Sequence, residues 1–503
     1  MSDVNSEFNL APPDTVAGLL PVGAAGPALV TVDNDVLDHE SLRQEVDRLA
    51  DQLRSAGLGP ADRIAIVLPN GPEMALVLLA VMSVGCAAPL NPKYREDEFR
   101  FYLEDLNASA LVTFDGASPE AHSAAPPGMI PIAVRGEGRS IALVAPSTPQ
   151  GSAIVPTADQ VALVLHTSGT TSRPKIVPLR QRNLARSARN IALTMQLTAA
   201  DRSLNVMPLF HIHGLMAGLL APLSAGGSVV CTPGFDAFKF HRWVDELHPT
   251  YYSAVPTMHQ MVLARAPEPR PTSLRFVRSS SAALPGQVSE GLRGLFGVPV
   301  MEAYGMTEAS HQMTCNPLPP RHTKPGSVGV AMGIDVAILD EQDNVLPPGE
   351  RGEVSIRGDT IIDGYESNPG ANASAFTAGW FRTGDEGMLD EEGYLFLTGR
   401  LKEQINRGGE KISPIEIDEV LLRHRAVAEA VTFAIPHDKL GEEVGAAVVV
   451  ADGETGTEDE LRSYLGEHLA AFKVPRRIVF VSEIPKGATG KIQRIGLAEK
   501  LDL

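Results

Sequence analysis

Short apolar runs alternate with helical patterns through roughly the first 400 residues, and this constrains the chain more than any other feature. Such alternation belongs to layered α/β folds. Arg63-Ile-Ala-Ile-Val-Leu68 predicts a strand ending in the turn Pro69-Asn-Gly-Pro72, and the Met74 segment predicts the helix after it. The apolar stretch from Met74 to Leu90 is interrupted by Ser83 and Gly85 and carries Pro72 and Pro89 near its ends. It therefore reads as a buried helix running into a strand, not as a membrane span. Ala110-Leu-Val-Thr-Phe114 predicts another strand. Residues 115 to 157 are rich in Pro, Ala, Gly and Ser and predict a surface connection with one or two short strands. Val161-Ala-Leu-Val-Leu165 predicts a strand that runs straight into a hydroxyl-rich loop.

The tail has a different texture. Glu392-Gly-Tyr-Leu-Phe-Leu-Thr-Gly399 predicts a hairpin strand closing a domain, with Arg400-Leu-Lys-Glu403 as a charged junction. Beyond it, Ser413-Pro-Ile-Glu416 has the form of a capping box with proline at the first helical position, which accounts for Glu416 structurally. Thr457-Glu-Asp-Glu460 repeats that logic before a helix over Leu461 to Ala470. Ala430-Val-Thr-Phe-Ala-Ile435 and Gly445-Ala-Ala-Val-Val-Val450 predict strands between them. The expected division is a large domain over residues 1–399 and a small α+β domain over 400–503.

Charge narrows the function. With 43 Lys+Arg against 61 Asp+Glu the chain carries −18, which argues against general affinity for nucleic acid or an anionic membrane. Cys86, Cys231 and Cys315 are too far apart for a CxxC site or a disulfide framework and read as buried small residues. The N-terminus lacks the pattern of a signal peptide and the final Leu501-Asp-Leu503 is not a peroxisomal address, so a soluble cytoplasmic protein is expected. Against the acidic background, Val161 to Ala200 holds six positive residues (Arg173, Lys175, Arg180, Arg182, Arg186, Arg189) and no acidic one. Inside it, His166-Thr-Ser-Gly-Thr-Thr-Ser-Arg-Pro-Lys175 offers backbone N–H groups and hydroxyls to phosphate oxygens, with Lys175 as a point charge. Pro174 before the lysine excludes a Walker A loop. A Ser/Thr-rich turn before a basic surface helix is the alternative.

That segment resembles the phosphate loop of the adenylate-forming superfamily, with Thr167, Ser168, Gly169, Thr170, Thr171 and Lys175 as nucleotide contacts. Further elements resemble the family in order: Pro208-Leu-Phe-His211 the gate, Glu302-Ala-Tyr-Gly-Met-Thr-Glu308 the adenine and magnesium element, and Trp380-Phe-Arg-Thr-Gly-Asp385 the ribose element. Gly399-Arg-Leu-Lys402 resembles the hinge and Ile484-Pro-Lys-Gly-Ala-Thr-Gly-Lys491 the C-terminal lysine loop. The resemblance implies an adenylation domain followed by a mobile C-terminal domain, and ATP, Mg²⁺ and coenzyme A as cofactors. It implies that Ser281, Ala282, Tyr304 and Gly305 line the adenine site and that Thr307 bonds the α-phosphate. Glu308 would hold Mg²⁺, Asp385 with Arg400 beside it would take the ribose, and Lys491 would stabilise the adenylation transition state. Lys402 would be the hinge, and Gly408 and Gly409 would pass the pantetheine arm of CoA. No insertion of the carrier-loading type is visible in the N-terminal domain, which favours free CoA as acceptor. Anionic substrates would be drawn to the basic segment and to the Lys491 loop.

Four segments, the phosphate loop among them, most resemble the oxalate–CoA ligase branch; the others are Met207-Pro-Leu-Phe-His-Ile-His-Gly214, Ala309-Ser-His-Gln-Met-Thr-Cys-Asn-Pro317 and Ile405-Asn-Arg-Gly-Gly-Glu-Lys-Ile-Ser-Pro414. The acid would contact His211, His213, Ser310 and His311, and His213 would share a side with His211 if that segment is extended. Core histidines and a two-histidine metal site are the alternatives for the pair. Fatty acids are the rival substrate, luciferase-like oxidation a rival activity, and a non-catalytic AMP-binding protein the rival without chemistry. Ile176 after the loop lysine and Ser281 in Ser279-Ser-Ser-Ala-Ala283 depart from the family's glycines.

Overall fold

The computed structural model describes residues 14–138, 140–146, 154–167, 174–266, 268–269, 271–485, 494–501 and 503. The alternation resolves into two large sheets. One has seven strands in the order Ser140–Val144, Ile130–Glu137, Ala110–Phe114, Arg63–Val67, Cys86–Pro89, Val161–Thr167, Lys175–Arg180, parallel inside and antiparallel at both edges. The other has nine, in the order Val330–Ala331, His311–Cys315, Val300–Met306, Phe276–Ser280, Tyr251–Ala254, Arg202–Asn205, Ser228–Cys231, Pro27–Thr31, Val36–Asp38.

The helix Pro72–Met82 lies between them. It packs on Arg63–Val67 and Cys86–Pro89 of the first sheet and on Pro27–Thr31 of the second, so every residue from Met74 to Met82 is buried. A helix covered on both sides keeps no polar face, which is why its sequence looks membrane-like while only 11 residues long. The helix Gln181–Thr194 sits similarly, touching Val161–Thr167, Lys175–Arg180 and His311–Cys315. Among the described residues no helix is long and apolar enough to cross a membrane. The 115–157 segment contains the two short strands expected and also a short helix, Pro119–Ala124, that composition alone does not announce. All three cysteines are buried, and burial pushes the Cys315 thiol up to about 11.

A third sheet joins Asp335–Leu339, Gly352–Arg357, Trp380–Leu389 and Phe376–Thr377, and Leu395–Arg400 closes it as the expected hairpin strand against Trp380–Leu389. The smaller C-terminal domain has its own sheet, built from Glu410–Ile412, Ile405–Arg407, Gly441–Val450, Val427–His437 and Arg477–Phe480. Thr457 caps the helix Glu458–His468 by accepting from the Glu460 N–H at 3.2 Å. The capping box at Ser413 does not form. Its hydroxyl donates to the Thr398 carbonyl at the domain junction, and Glu416 instead takes the Lys473 ammonium on both oxygens at 2.7 Å. The hydroxyl is turned to a tertiary acceptor instead of the local backbone N–H donor.

At the junction, Glu302 of the large domain and Glu419 of the small one repel each other electrostatically. Burial, reinforced by Glu419, pushes the Glu302 carboxyl up to about 7. Its folded value lies above its unfolded one, so folding binds a proton between the two values, and stability falls as pH rises from about 4.5 toward 7. Glu302→Gln is expected to be more stable than the parent by about 1–2 kcal/mol at pH 8 and indistinguishable from it at pH 4, read by denaturant unfolding at both pH values.

Candidate active site

Arg202–Asn205, Tyr251–Ala254, Phe276–Ser280 and Val300–Met306 are parallel neighbours in the nine-stranded sheet. Their carboxyl ends deliver His211 and His213, Ser281 and Ala282, and Tyr304 to Glu308 to one edge, the usual place for a ligand crevice in an open α/β sheet. The last of these strands leads into a tight turn, Thr307–Ala309, and returns antiparallel as His311–Cys315. The return is close. A Cβ on Gly305 would stand 1.9 Å from the His311 carbonyl oxygen, so only glycine fits there.

Among the residues expected to take the nucleotide, Asp385 is only 6% exposed and holds two donors: the Tyr304 hydroxyl at 2.5 Å on Oδ2 and Arg400 Nε at 2.8 Å on Oδ1. Burial and the Asp385 charge raise the Tyr304 phenol well above its usual value, and Asp385 raises Arg400, so both remain donors. A carboxylate oxygen has two lone pairs, which leaves Asp385 able to accept ribose hydroxyls as well. Glu308, equally buried, accepts from the Tyr365 hydroxyl at 2.8 Å. The Lys175 ammonium lies 4.2 Å from the centre of the Tyr365 ring. Burial lowers the Lys175 pKa, Glu308 opposes that shift and Lys402 adds to it, so the expected hinge lysine faces this site electrostatically. Thr167 pairs with Lys175 across the strand ends, and Thr307 is half-buried beside Glu308. Ser168, Gly169, Thr170, Thr171 and Lys491 lie outside the described residues.

The described residues contain no group of three His, Cys, Asp or Glu side chains able to hold a metal. Glu308 is a single buried carboxylate facing a lysine. That donor set suits Mg²⁺, which takes one or two protein carboxylates and completes its shell from phosphate and water.

The segment expected to form the gate beside the acid, Pro208 to His213, is not extended. The His211 N–H bonds the Pro208 carbonyl, and the chain then enters the helical turn Gly214–Leu220 with His213 in helical backbone geometry. The two histidines therefore point in different directions, His211 against Phe210 and His213 stacked on His311 with ring centres 4.8 Å apart. His213 Nε2 lies 2.7 Å from Ser253 Oγ and Nδ1 lies 3.2 Å from Ser281 Oγ. Ser310 departs from its expected role: it is fully buried and its hydroxyl donates to the Thr360 carbonyl at 2.7 Å. Ser281 has φ +75°, a backbone that favours glycine, so the hydroxyl facing His213 is kept in a strained position. Ala282 beside it is exposed.

Tyr365, Ser253 and Arg278 join these groups without any motif naming them, whereas Gln312 belongs to the 309–317 segment. A signal was present for Arg278, a charge inside the otherwise buried strand Phe276–Ser280. The basic segment is not one patch. Arg180 and Arg182 pair with Asp363, Arg182 also with Asp159, and Arg186 with Asp359, so three of the six charges face aspartates that a linear count places elsewhere. Gly408 and Gly409, with φ +62° and +99°, form the two-residue turn between Ile405–Arg407 and Glu410–Ile412, a geometry open to glycine at both places.

Residues 24–366 match the AMP-binding enzyme family and residues 416–491 the AMP-binding enzyme C-terminal domain. The chain is 45% identical to an oxalate–CoA ligase of Arabidopsis thaliana over 503 residues, covering 96% of this chain and 97% of that one. It is 45% identical to an oxalate–CoA ligase of Saccharomyces cerevisiae over 470 residues, covering 87% and 86%. ATP-bound MatB from Rhodopseudomonas palustris superposes with a TM-score of 0.86 at 28% identity, covering 97% and 98%. The chain belongs to the AMP-binding enzyme family and is an ATP-dependent acid–thiol ligase.

Ser281→Gly is expected to relax the backbone, stabilising the protein by up to about 1 kcal/mol, while lowering kcat/KM for the acid about tenfold. Thermal unfolding and adenylation kinetics check the two halves.

Proposed function

We propose that this ligase activates oxalate, forming oxalyl-AMP and pyrophosphate from ATP and then oxalyl-CoA and AMP. The observation that carries the choice of acid is the wall that would face it: the stacked His213–His311 pair with Ser253, Ser281 and Gln312, polar side chains where a fatty acid would need an apolar tunnel. The two oxalate–CoA ligases at 45% identity support the same reading.

In the first half-reaction an oxalate oxygen attacks the α-phosphorus and the bond to pyrophosphate breaks. Both partners are anions, so the protein's task is positioning and positive charge. On this reading Asp385 and Arg400 hold the ribose, Tyr304 and Gly305 flank the adenine, and Thr307 and Lys175 meet the phosphates. Glu308 supplies the protein carboxylate for Mg²⁺, which neutralises phosphate charge when bound. Lys491 bridges acid and α-phosphate, and His211 and His213 orient the acid. In the second half-reaction the small domain, from residue 400 onward, turns about Lys402 and brings Gly408 and Gly409 to the pantetheine arm. The CoA thiolate then attacks the acyl carbon, AMP leaves, and the thiol proton goes to solvent. A cytoplasmic location accompanies this reading, since isolated thiols suit a reducing compartment.

A panel of acids in a CoA-dependent AMP-release assay tests the substrate: oxalate should give the highest kcat/KM among formate, acetate, oxalate, malonate and octanoate, and a higher value for octanoate sinks the proposal. Lys491→Ala should lower oxalate-dependent pyrophosphate exchange by about a hundredfold or more while sparing thioester formation from supplied oxalyl-AMP. Equal loss of both steps would remove the lysine from its assigned place.

A further inference from the structure

Arg278 sits in the middle of the strand Phe276–Ser280 and is wholly buried. A charge in that position is costly unless something answers it. Among the described residues no carboxylate pairs with it. Its Nη1 donates to Ser253 Oγ at 3.0 Å and its Nη2 to Gln312 Oε1 at 3.0 Å, and Cys315 and Tyr251 are the ionisable groups that act on it. Burial lowers its pKa, yet a guanidinium keeps its proton near neutrality.

Both acceptors lead to the acid wall. Ser253 stands directly across the ladder from Arg278 and touches His213 Nε2 at 2.7 Å, and Gln312 follows His311, on which His213 is stacked. A guanidinium only donates. Ser253 Oγ therefore accepts from Arg278, and among the described residues its own proton finds an acceptor only in His213 Nε2. That makes Nε2 the acceptor and leaves the ring proton on Nδ1, beside Ser281. The amide of Gln312 is fixed in the same way: Oε1 faces Arg278 and Nε2 donates to Thr194 at 3.1 Å.

We infer that Arg278 is the positioning residue of the acid pocket: its buried charge, relayed through Ser253, holds His213 as the Nδ1–H tautomer and gives the pocket a preference for an acid with two negative charges. The inference deepens the proposed function and rests on the acid being a small dianion. It assigns Arg278 no contact with the substrate. The field of an uncompensated buried cation acts over several ångströms in a medium of low polarity, and a second carboxylate is the feature that feels it most.

Glyoxylate is the natural control, since it has the carbon count of oxalate and one charge fewer. Arg278→Met is expected to lower kcat/KM for oxalate about thirtyfold, mainly through KM, with glyoxylate changed by no more than about threefold and KM for ATP unmoved. Arg278→Lys should restore most of the preference for the dianion. An equal loss for the two acids overturns the inference. Nitrogen-15 spectra of histidine-labelled, unsubstituted enzyme give a readout that needs no variant to fold: His213 should show its proton on Nδ1, and Ser253→Ala should admit the other tautomer. A proton on Nε2 in the unsubstituted enzyme overturns the inference too. Weak oxalate activity beside strong activity on another small dianion counts against the substrate proposal alone, whereas a preferred monoanion overturns the inference as well.

Discussion

The near-contact of Gly305 with the carbonyl of His311 is the constraint on which both halves of the site depend. Tyr304, bonded to Asp385, lies before this crossing, and His311, stacked on His213, forms it. A side chain at 305 would push the two strands apart and separate the Tyr304–Asp385 bond from the His311–His213 stack in one movement. On the proposed reading two anionic reactants have to meet within bonding distance, and this short backbone approach would set the distance between the groups that receive them.

The second theme is how an acidic protein builds a positive site. Density of arginine along the chain does not achieve it, because Asp359 and Asp363 answer the arginines of the Gln181–Thr194 helix region. Burial does. Arg278 inside the sheet is a charge where water screens it little, while Lys175, half-buried over the Tyr365 ring, has Lys402 adding to its field. Net charge thus governs the surface, and solvation governs the site.

Much of this was legible in the sequence. The helix Pro72–Met82, the hairpin strand Leu395–Arg400 and the strands of the small domain follow from local pattern, and the ordered motifs carried the family. What escaped depends on partners distant in sequence. Ser413 has a good local capping signature, yet its hydroxyl turns to the Thr398 carbonyl and leaves the helix N–H groups uncapped by it. Tyr365 meets Glu308 across 57 residues and Arg278 meets Gln312 across 34, which no spacing rule expresses. The relation of His211 to His213 failed for another reason: alternation assumes an extended chain, and this segment coils. Ser310 looked available by composition and is spent on the Thr360 carbonyl.

Ser281 carries a consequence for the divergence of such enzymes. Its hydroxyl is held by a backbone that glycine would occupy more comfortably, so the mutation that removes this polar contact is also one that relaxes the chain. Stability alone would carry the position toward glycine. A pocket with this polarity therefore persists only while use of its acid opposes that drift, and a descendant released from that use has a downhill first step toward a plainer, more permissive site.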